Sequence, residues 1–449
     1  MRLLSINFKN EEAKYIELYN YIKNAITDGT LSPNEKLPSK RAMASYLSIS
    51  LNTVMEAYNL LLDEGFIVSI PKKGYYVVGY NLVVDKNSES SDINIVNDVK
   101  YDFSTKNIDK SSFPYYTFNK ISKNIIYNEN ILERSQSFGN IKLRNTIKRY
   151  LYETKGLNIN PNNIIIGSGI EYLLTNLIDI LDSNSYAIEN PGYDKIYKLI
   201  SNNHRMVELL DLDSEGVNIS NIKSDVLYIT PSNQFPTGIK MSMARKAMIA
   251  KWACDNKYII EDDFDSEFKY LSNKSLSLYD LNKDHTILLQ TYSRSLSPSF
   301  RIAYMILPDK LLEKYKEKYS FYSSTVSTLD QLIVMEFIRS GAYSRTINKN
   351  KSLYKNKREM IIRSLEKYDF LNIDLQNSYL SLIVELKPFN KKLFKELCKK
   401  EGIDISIMDD YYMDSKKDNR IIIGYSGIDI LILNEGISKL IKVIKEALL

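Results

Sequence analysis

Apolar positions along residues 11–63 recur at helical spacing and then give way to strand-like runs. Ile16, Tyr19, Ile22 and Ile26 share a face of a first helix, which Gly29 stops. After a turn at Pro33, Ser39 is placed to cap a second, short helix through Ala42, Met43, Tyr46 and Leu47. Ser50 is placed to cap a third, with Val54, Ala57, Tyr58 and Leu61 on one face and Gly65 at its end. Phe66–Ile70 and Tyr75–Val78 read as two strands joined by Pro71-Lys72-Lys73-Gly74. Residues 1–80 are therefore expected to form a compact helical unit ending in a hairpin.

The pattern then lapses. Asp85-Lys86-Asn87-Ser88-Glu89-Ser90-Ser91-Asp92 is polar and aperiodic, and residues 81–109 are assigned to a linker. From residue 110 to 449, short apolar runs alternate with helical segments. The strand candidates are Asn163–Gly167, Ser185–Glu189, Asp225–Thr230, Tyr258–Glu261, Thr286–Gln290 and Ile302–Leu307. This alternation predicts an α/β domain with a largely parallel sheet, followed from about residue 315 by a smaller α+β lobe. No internal repeat is visible.

Composition narrows the chemistry. A chain of 449 residues is too long for one ordinary core, and 44% hydrophobic with 26% charged residues is a folded-protein profile. No apolar run approaches the roughly 20 residues of a membrane span, and the N-terminus lacks a secretory pattern, so a cytoplasmic protein is expected. Cys254 and Cys398 form no CxxC pair, and His204 and His285 stand alone. Neither zinc chemistry nor a histidine-based nucleophile system is supported. The net charge of +5 is modest and does not by itself imply nucleic acid.

Three helices and a terminal hairpin are the parts of a winged helix. Leu37–Gly65 resembles the GntR family of winged-helix regulators through Leu37-Pro38-Ser39, Arg41, Ser50, Thr53-Val54, Ala57-Tyr58 and Glu64-Gly65. The resemblance implies operator DNA as a partner. Ser50, Asn52 and Thr53 would open the recognition helix. Ser39, Lys40 and Arg41 would meet phosphate from the preceding helix, and Lys72, Lys73 and Gly74 would form a basic wing tip. Residues 1–80 hold nine Lys/Arg against eight Asp/Glu, so the electrostatic footprint is weak unless the charges segregate. Leu51 stands where family members usually carry Arg. A winged helix used for protein contacts is the alternative.

The larger region resembles the fold-type I aminotransferase domain of the MocR (GabR-like) branch of those regulators. Five landmarks carry the resemblance, in order: Ile164–Gly169, Glu189–Tyr193, Thr230–Gly238, Glu261–Phe268 and Thr291–Arg301. It implies a pyridoxal phosphate site. Ser168 and Gly169 open a helix whose amides suit a phosphate. Ser293 and Arg301 correspond to phosphate ligands. Tyr193 offers an aromatic surface, Asp262 a partner for the pyridinium nitrogen, and Asn233 or Gln234 a side-chain amide. Arg420 matches the arginine that holds a substrate carboxylate, with an exposed surface arginine as the alternative.

Two positions depart from the family. Arg294 stands where the family has the lysine that forms the imine with the cofactor. Imine formation needs a primary amine that can lose its proton, whereas a guanidinium keeps its proton to a pKa above about 12. Phe264 replaces a tyrosine whose hydroxyl bonds the cofactor ring oxygen. The expectation is a homodimeric transcription regulator that is not an enzyme. Pyridoxal phosphate would be bound noncovalently at most, and the effector would be amino-acid-like or phosphate-bearing. A decayed site kept for folding and dimer packing is the second reading, and an active pyridoxal-phosphate-dependent aminotransferase with a fused regulator domain the third. No metal is expected: the acidic run Glu261, Asp262, Asp263 and Asp265 reads, Asp262 aside, as solvated or salt-bridged loop carboxylates.

Overall fold

A computed structural model describes Ile6, Phe8 and residues 12–78, 99–127, 129–268, 276–375 and 380–449. The chain divides into two compact units, Met1–Val96 and Asn97–Leu449. Among the described residues no helix is long and apolar enough to cross a membrane.

The N-terminal unit contains α1 (Lys14–Thr27), α2 (Lys40–Leu47) and α3 (Leu51–Asp63), then an antiparallel hairpin of β1 (Ile67–Ile70) and β2 (Gly74–Val77). Both serine caps form. Ser39 Oγ accepts from the Ala42 amide at 3.2 Å and Ser50 Oγ from the Thr53 amide at 3.1 Å, satisfying amides that a helix start leaves free. Val54, Ala57, Tyr58 and Leu61 are all fully buried on one face of α3. The Tyr58 hydroxyl donates to the Pro38 carbonyl at 2.9 Å and ties α3 to the start of α2. The buried face of α1 is Leu18, Tyr19, Ile22 and Ala25. Ile16 and Ile26, expected on that face, are only half-buried at its margins.

The second unit begins with β3 (Tyr101–Asp102). Its main sheet is built from β4 (Ile164–Gly167), β5 (Ser185–Asn190), β6 (Met206–Asp213), β7 (Gly216–Val217), β8 (Val226–Ile229), β9 (Tyr258–Asp262), β10 (Thr286–Thr291) and β11 (Ala303–Ile306). Their order is β4-β11-β10-β9-β8-β5-β6-β7. Strands β10, β9, β8, β5 and β6 run parallel, whereas β11 is antiparallel to both its neighbours and β7 to β6. Strands β4, β8, β10 and β11 are buried along their whole length, as in a sheet covered on both faces. All six expected strands are present. Strand β6 was not expected, because Glu208, Asp211 and Asp213 interrupt its apolar run and only Leu210 is buried.

The C-terminal lobe carries β12 (Leu371–Asp374), β13 (Ser381–Leu386), β14 (Ile403–Asp404), β15 (Ser406–Ile407) and β16 (Arg420–Gly424). Four of them form an antiparallel sheet in the order β12-β13-β16-β15, while β14 pairs in parallel with β3. The expected linker needs correction here. Its residues 81–98 lie outside the described residues, but 99–109 belong to the second unit. Tyr101 and Phe103 are fully buried, and the Gly424 amide donates to the Phe103 carbonyl at 2.8 Å. A Cβ on Gly424 would lie 2.2 Å from the Ser104 carbonyl oxygen, so glycine is required for this close approach. Asp109 makes a fully buried ion pair with Lys357 at 2.6 Å, fixing the segment to the long helix Ala342–Leu365.

Removing one partner of such a pair leaves the other charge buried without compensation. Lys357→Met is expected to destabilise the second unit by about 3–5 kcal/mol, read from denaturant midpoints. A loss below about 1 kcal/mol, typical of a surface pair, would contradict the buried-pair assignment.

Candidate functional site

Strands β5, β8, β9 and β10 are parallel, so their C-terminal ends share one edge, the edge at which open α/β sheets gather ligands. Asp262 closes β9, Thr230 follows β8, Asn190 closes β5, and Ser293-Arg294 follow β10. Strand β11 runs the other way, so Arg301, just before it, lies at the same edge. A small cleft, with enclosed room for about one water molecule, is lined there by Ile188, Glu189, Gly192, Tyr193, Tyr228 and Phe235, among others. The Phe235 ring packs edge-on against Tyr193, Phe264 and Tyr411, at 5.9, 6.0 and 5.0 Å between centroids.

Of the expected solvated or salt-bridged carboxylates, Asp263 is salt-bridged, to Lys155, and none is solvated. Glu261, Asp262, Asp263 and Asp265 are all buried. Glu261 and Asp262 end the buried strand β9, where alternation sends them to opposite faces, and Asp263 and Asp265 lie just beyond it. Glu261 accepts from the Tyr279 amide at 2.9 Å, Asp263 is ion-paired with Lys155, and Asp265 accepts from the Asn233 amide group. Asp262 Oδ2 accepts from the Tyr228 hydroxyl, while its Oδ1 is buried without a partner. Glu189 Oε2 accepts from the Thr230 hydroxyl at 2.7 Å and its amide at 3.1 Å, and Oε1 is left without a partner. Burial pushes Asp262 and Glu189 up to about 7. Among the described residues no group of three or more His, Cys, Asp or Glu is arranged to hold a metal ion.

Three arginines differ in what they face. Arg301 Nη2 lies 3.0 Å from Glu171 Oε2, and Lys195 Nζ lies 3.8 Å from Glu171 Oε1. Arg420 is chelated by Asp418, with Nε 2.8 Å from both carboxylate oxygens. Arg294 differs from both: its Nη1 is buried and has no hydrogen-bond partner. Burial lowers its guanidinium below the usual range, and Asp265, Tyr193 and Tyr411 partly offset this.

The remaining expected residues divide. Gln234 is used within its own turn, its amide donating to the Pro191 carbonyl at 2.9 Å and its oxygen accepting from the Thr237 amide at 3.1 Å. Asn233 keeps a buried Oδ1 without a partner. The Ser293 hydroxyl accepts from Thr291 at 2.9 Å, and the Ser168 amide donates to the Thr325 hydroxyl at 3.2 Å. Gly169 adopts φ +98° ahead of the helix Ile170–Leu181. Against pyridoxal phosphate, the orphaned Asp262 oxygen fits a pyridinium ring and Tyr193 offers it a face. The Glu171–Arg301 pair and the guanidinium of Arg294 do not fit a covalently held phosphorylated cofactor. Sequence reasoning missed Glu171, Tyr228, Tyr411 and Asp418. Only Asp418, two residues from Arg420, had a local signal.

In the N-terminal unit, Arg41, Asn52, Lys72 and Lys73 are exposed at the starts of α2 and α3 and at the hairpin tip. Lys40 spans α3 and the hairpin, 3.4 Å from Asn59 Oδ1 and 5.2 Å from the Tyr75 ring centre. Ser39 and Ser50 are occupied as caps, and Ser50 and Thr53 share a hydroxyl hydrogen bond of 2.8 Å. Leu51 and Met55 are exposed one turn apart on α3. Gly74 takes φ +112° at the tip.

Comparison with known proteins identifies both parts. The family of bacterial regulatory proteins named gntR matches residues 14–77, and aminotransferase class I and II matches residues 113–424. The HTH-type transcriptional regulator YdeL of Bacillus subtilis is 34% identical, covering 95% of this chain and 96% of its own length. The probable rhizopine catabolism regulatory protein MocR of Rhizobium meliloti is 24% identical over 94% of this chain and 92% of its own. An archaeal alanine:glyoxylate aminotransferase shares the fold, with a TM-score of 0.69 and 23% identity over 77% of this chain and 91% of that one.

The raised carboxyls give a pH signature. Asp262 and Glu189 hold protons to about 7 in the folded state, while unfolded carboxyls release theirs near 4. The folded form then binds more protons than the unfolded chain, so their contribution to stability is present below about 4 and is lost as pH rises to about 7. Asp262→Asn removes one such group. Its stability should gain on the parent across that window, by at most ~1.4 kcal/mol per pH unit. Urea midpoints between pH 5 and 8 measure this, and a difference that is the same at every pH would contradict it.

Proposed function

Because this chain belongs to the MocR-like family of HTH-type transcriptional regulators, in which a GntR-type DNA-binding domain precedes an aminotransferase class I and II domain, we propose that its aminotransferase-like domain serves as a noncovalent effector-binding and dimerisation module without catalysis. The observation that carries this reading is Arg294. At the position where the resemblance expects a primary amine, the segment after β10 carries a half-buried arginine, its Nη1 buried, and a guanidinium cannot act as a nucleophile. Phe264 supports it, since an aromatic ring packed on Phe235 offers no hydroxyl.

When bound, pyridoxal phosphate supplies an electron sink. Here Asp262 would face its ring nitrogen and Tyr193 its ring, and the chain offers no amine at position 294 to capture it. Dimerisation through the second unit is carried over from its match to aminotransferase class I and II. On the N-terminal unit, Arg41, Lys72 and Lys73 would hold phosphates and so set position, while Asn52, with Leu51 and Met55 beside it, would meet base edges.

Two experiments test the reading. Full-length protein supplied with pyridoxal phosphate, an amino donor and an oxo acid should show no transamination above the protein-free rate; sustained turnover would overturn the noncatalytic role. In binding titrations on DNA, Arg41→Ala should weaken specific and random duplexes by a similar factor. It should also lower the slope of log K against log salt by about 1. Unchanged affinity and slope would remove Arg41 from the interface.

A further inference from the structure

Among the described residues around the candidate site, charged side chains that could hold an anion are already engaged, with one exception. The helix Ile170–Leu181 opens at Gly169, and its first-turn residue Glu171 folds back toward that opening. A Cβ built on Gly169 would meet Arg301 Nη2 at 2.8 Å and Glu171 Oε2 at 3.1 Å, so the ion pair lies directly over the glycine backbone. Lys195 approaches the other oxygen of the same carboxylate, and the Ser168 amide is taken by Thr325. The Ser168 amide and the Arg301 and Lys195 side chains therefore already face acceptors of this chain, and the Glu171 carboxylate lies where the charge of a phosphate would come. The Arg420 guanidinium is closed in the same way by Asp418.

Arg294 is the exception. Its Nη1 is buried and unpartnered, a costly state for a charged donor. At the same edge of the sheet, Glu189, Asp262 and Asn233 are each more than nine-tenths buried, and each has one oxygen without a partner. A half-buried cation with one buried, unpartnered nitrogen and three orphaned acceptors form a complementary set for a molecule with one carboxylate and one ammonium group.

Building on the noncovalent pocket proposed above, we propose that Glu171 is a tethered anion that closes the phosphate cup, so that the site selects a small unphosphorylated α-amino acid, its carboxylate on Arg294. A phosphate ester would have to bring its charge against Glu171, and a ligand without phosphate would not.

Calorimetric titration of the full-length protein with pyridoxal, pyridoxal phosphate and the individual common L-amino acids tests this. In the wild type, at least one amino acid should bind, and pyridoxal phosphate should bind no tighter than pyridoxal. Glu171→Gln should raise the preference for pyridoxal phosphate over pyridoxal by about tenfold or more, while Glu171→Asp, which keeps the charge, should not. Arg294→Gln should weaken the amino acid by about tenfold or more, with melting curves confirming that each variant is folded. Wild-type protein that prefers pyridoxal phosphate by about tenfold, with the same preference in Glu171→Gln, would overturn the closed cup while leaving a ligand pocket in place. Wild-type protein that binds pyridoxal phosphate or pyridoxal but no amino acid would overturn the ligand class alone. Silence of the wild type toward every probe would instead overturn the pocket reading itself.

Discussion

Parallel alignment of β5, β8, β9 and β10 is the constraint on which the candidate site depends. It places Glu189, Thr230, Asp262 and Arg294, far apart in sequence, at one edge of one sheet. The strands are buried on both faces, so whatever they deliver at that edge arrives in a poorly hydrated setting. That setting explains the raised carboxyls, because an ion loses solvation there and must find a partner or keep its proton. It also bears on the proposed exchange of a lysine for Arg294. A lysine in such surroundings can shed its proton and attack a carbonyl, whereas an arginine remains a fixed cation with directional donors.

The three arginines show how one residue type is put to different uses by its neighbours. Arg301 and Arg420 each meet a carboxylate of the same chain at close range. Arg294 is held among aromatic rings and Asp265 with one nitrogen unanswered. Native interiors leave few such groups, and those that remain are where an external partner brings the most. In the proposed reading, that gap is filled by a ligand and not by the fold.

Much of this was legible in the sequence, for local reasons. Caps at Ser39 and Ser50, the apolar face of α3 and the six principal strands follow from short-range pattern and side-chain chemistry. The proposed loss of the amine at Arg294 rests on the same kind of local reading, since a guanidinium behaves the same way wherever it is placed. Contacts between distant segments were not legible. Glu171 gave no sign of pairing with Arg301, nor Tyr228 of donating to Asp262, because strand order and loop return decide both. The polar character of residues 81–98 also hid the change at Tyr101 and Phe103, two aromatics that anchor the start of the second unit.

The central claim is that this fold, in this chain, holds no covalent cofactor. Its most direct test is reduction with borohydride after saturation of the full-length protein with pyridoxal phosphate, followed by peptide mass mapping. The account predicts no pyridoxyl adduct on any lysine of the second unit, including Lys155, which is ion-paired with Asp263, and Lys195, which sits beside Tyr193. A stoichiometric adduct on one of them would mean that another amine has taken over the lysine's role, and would contradict it.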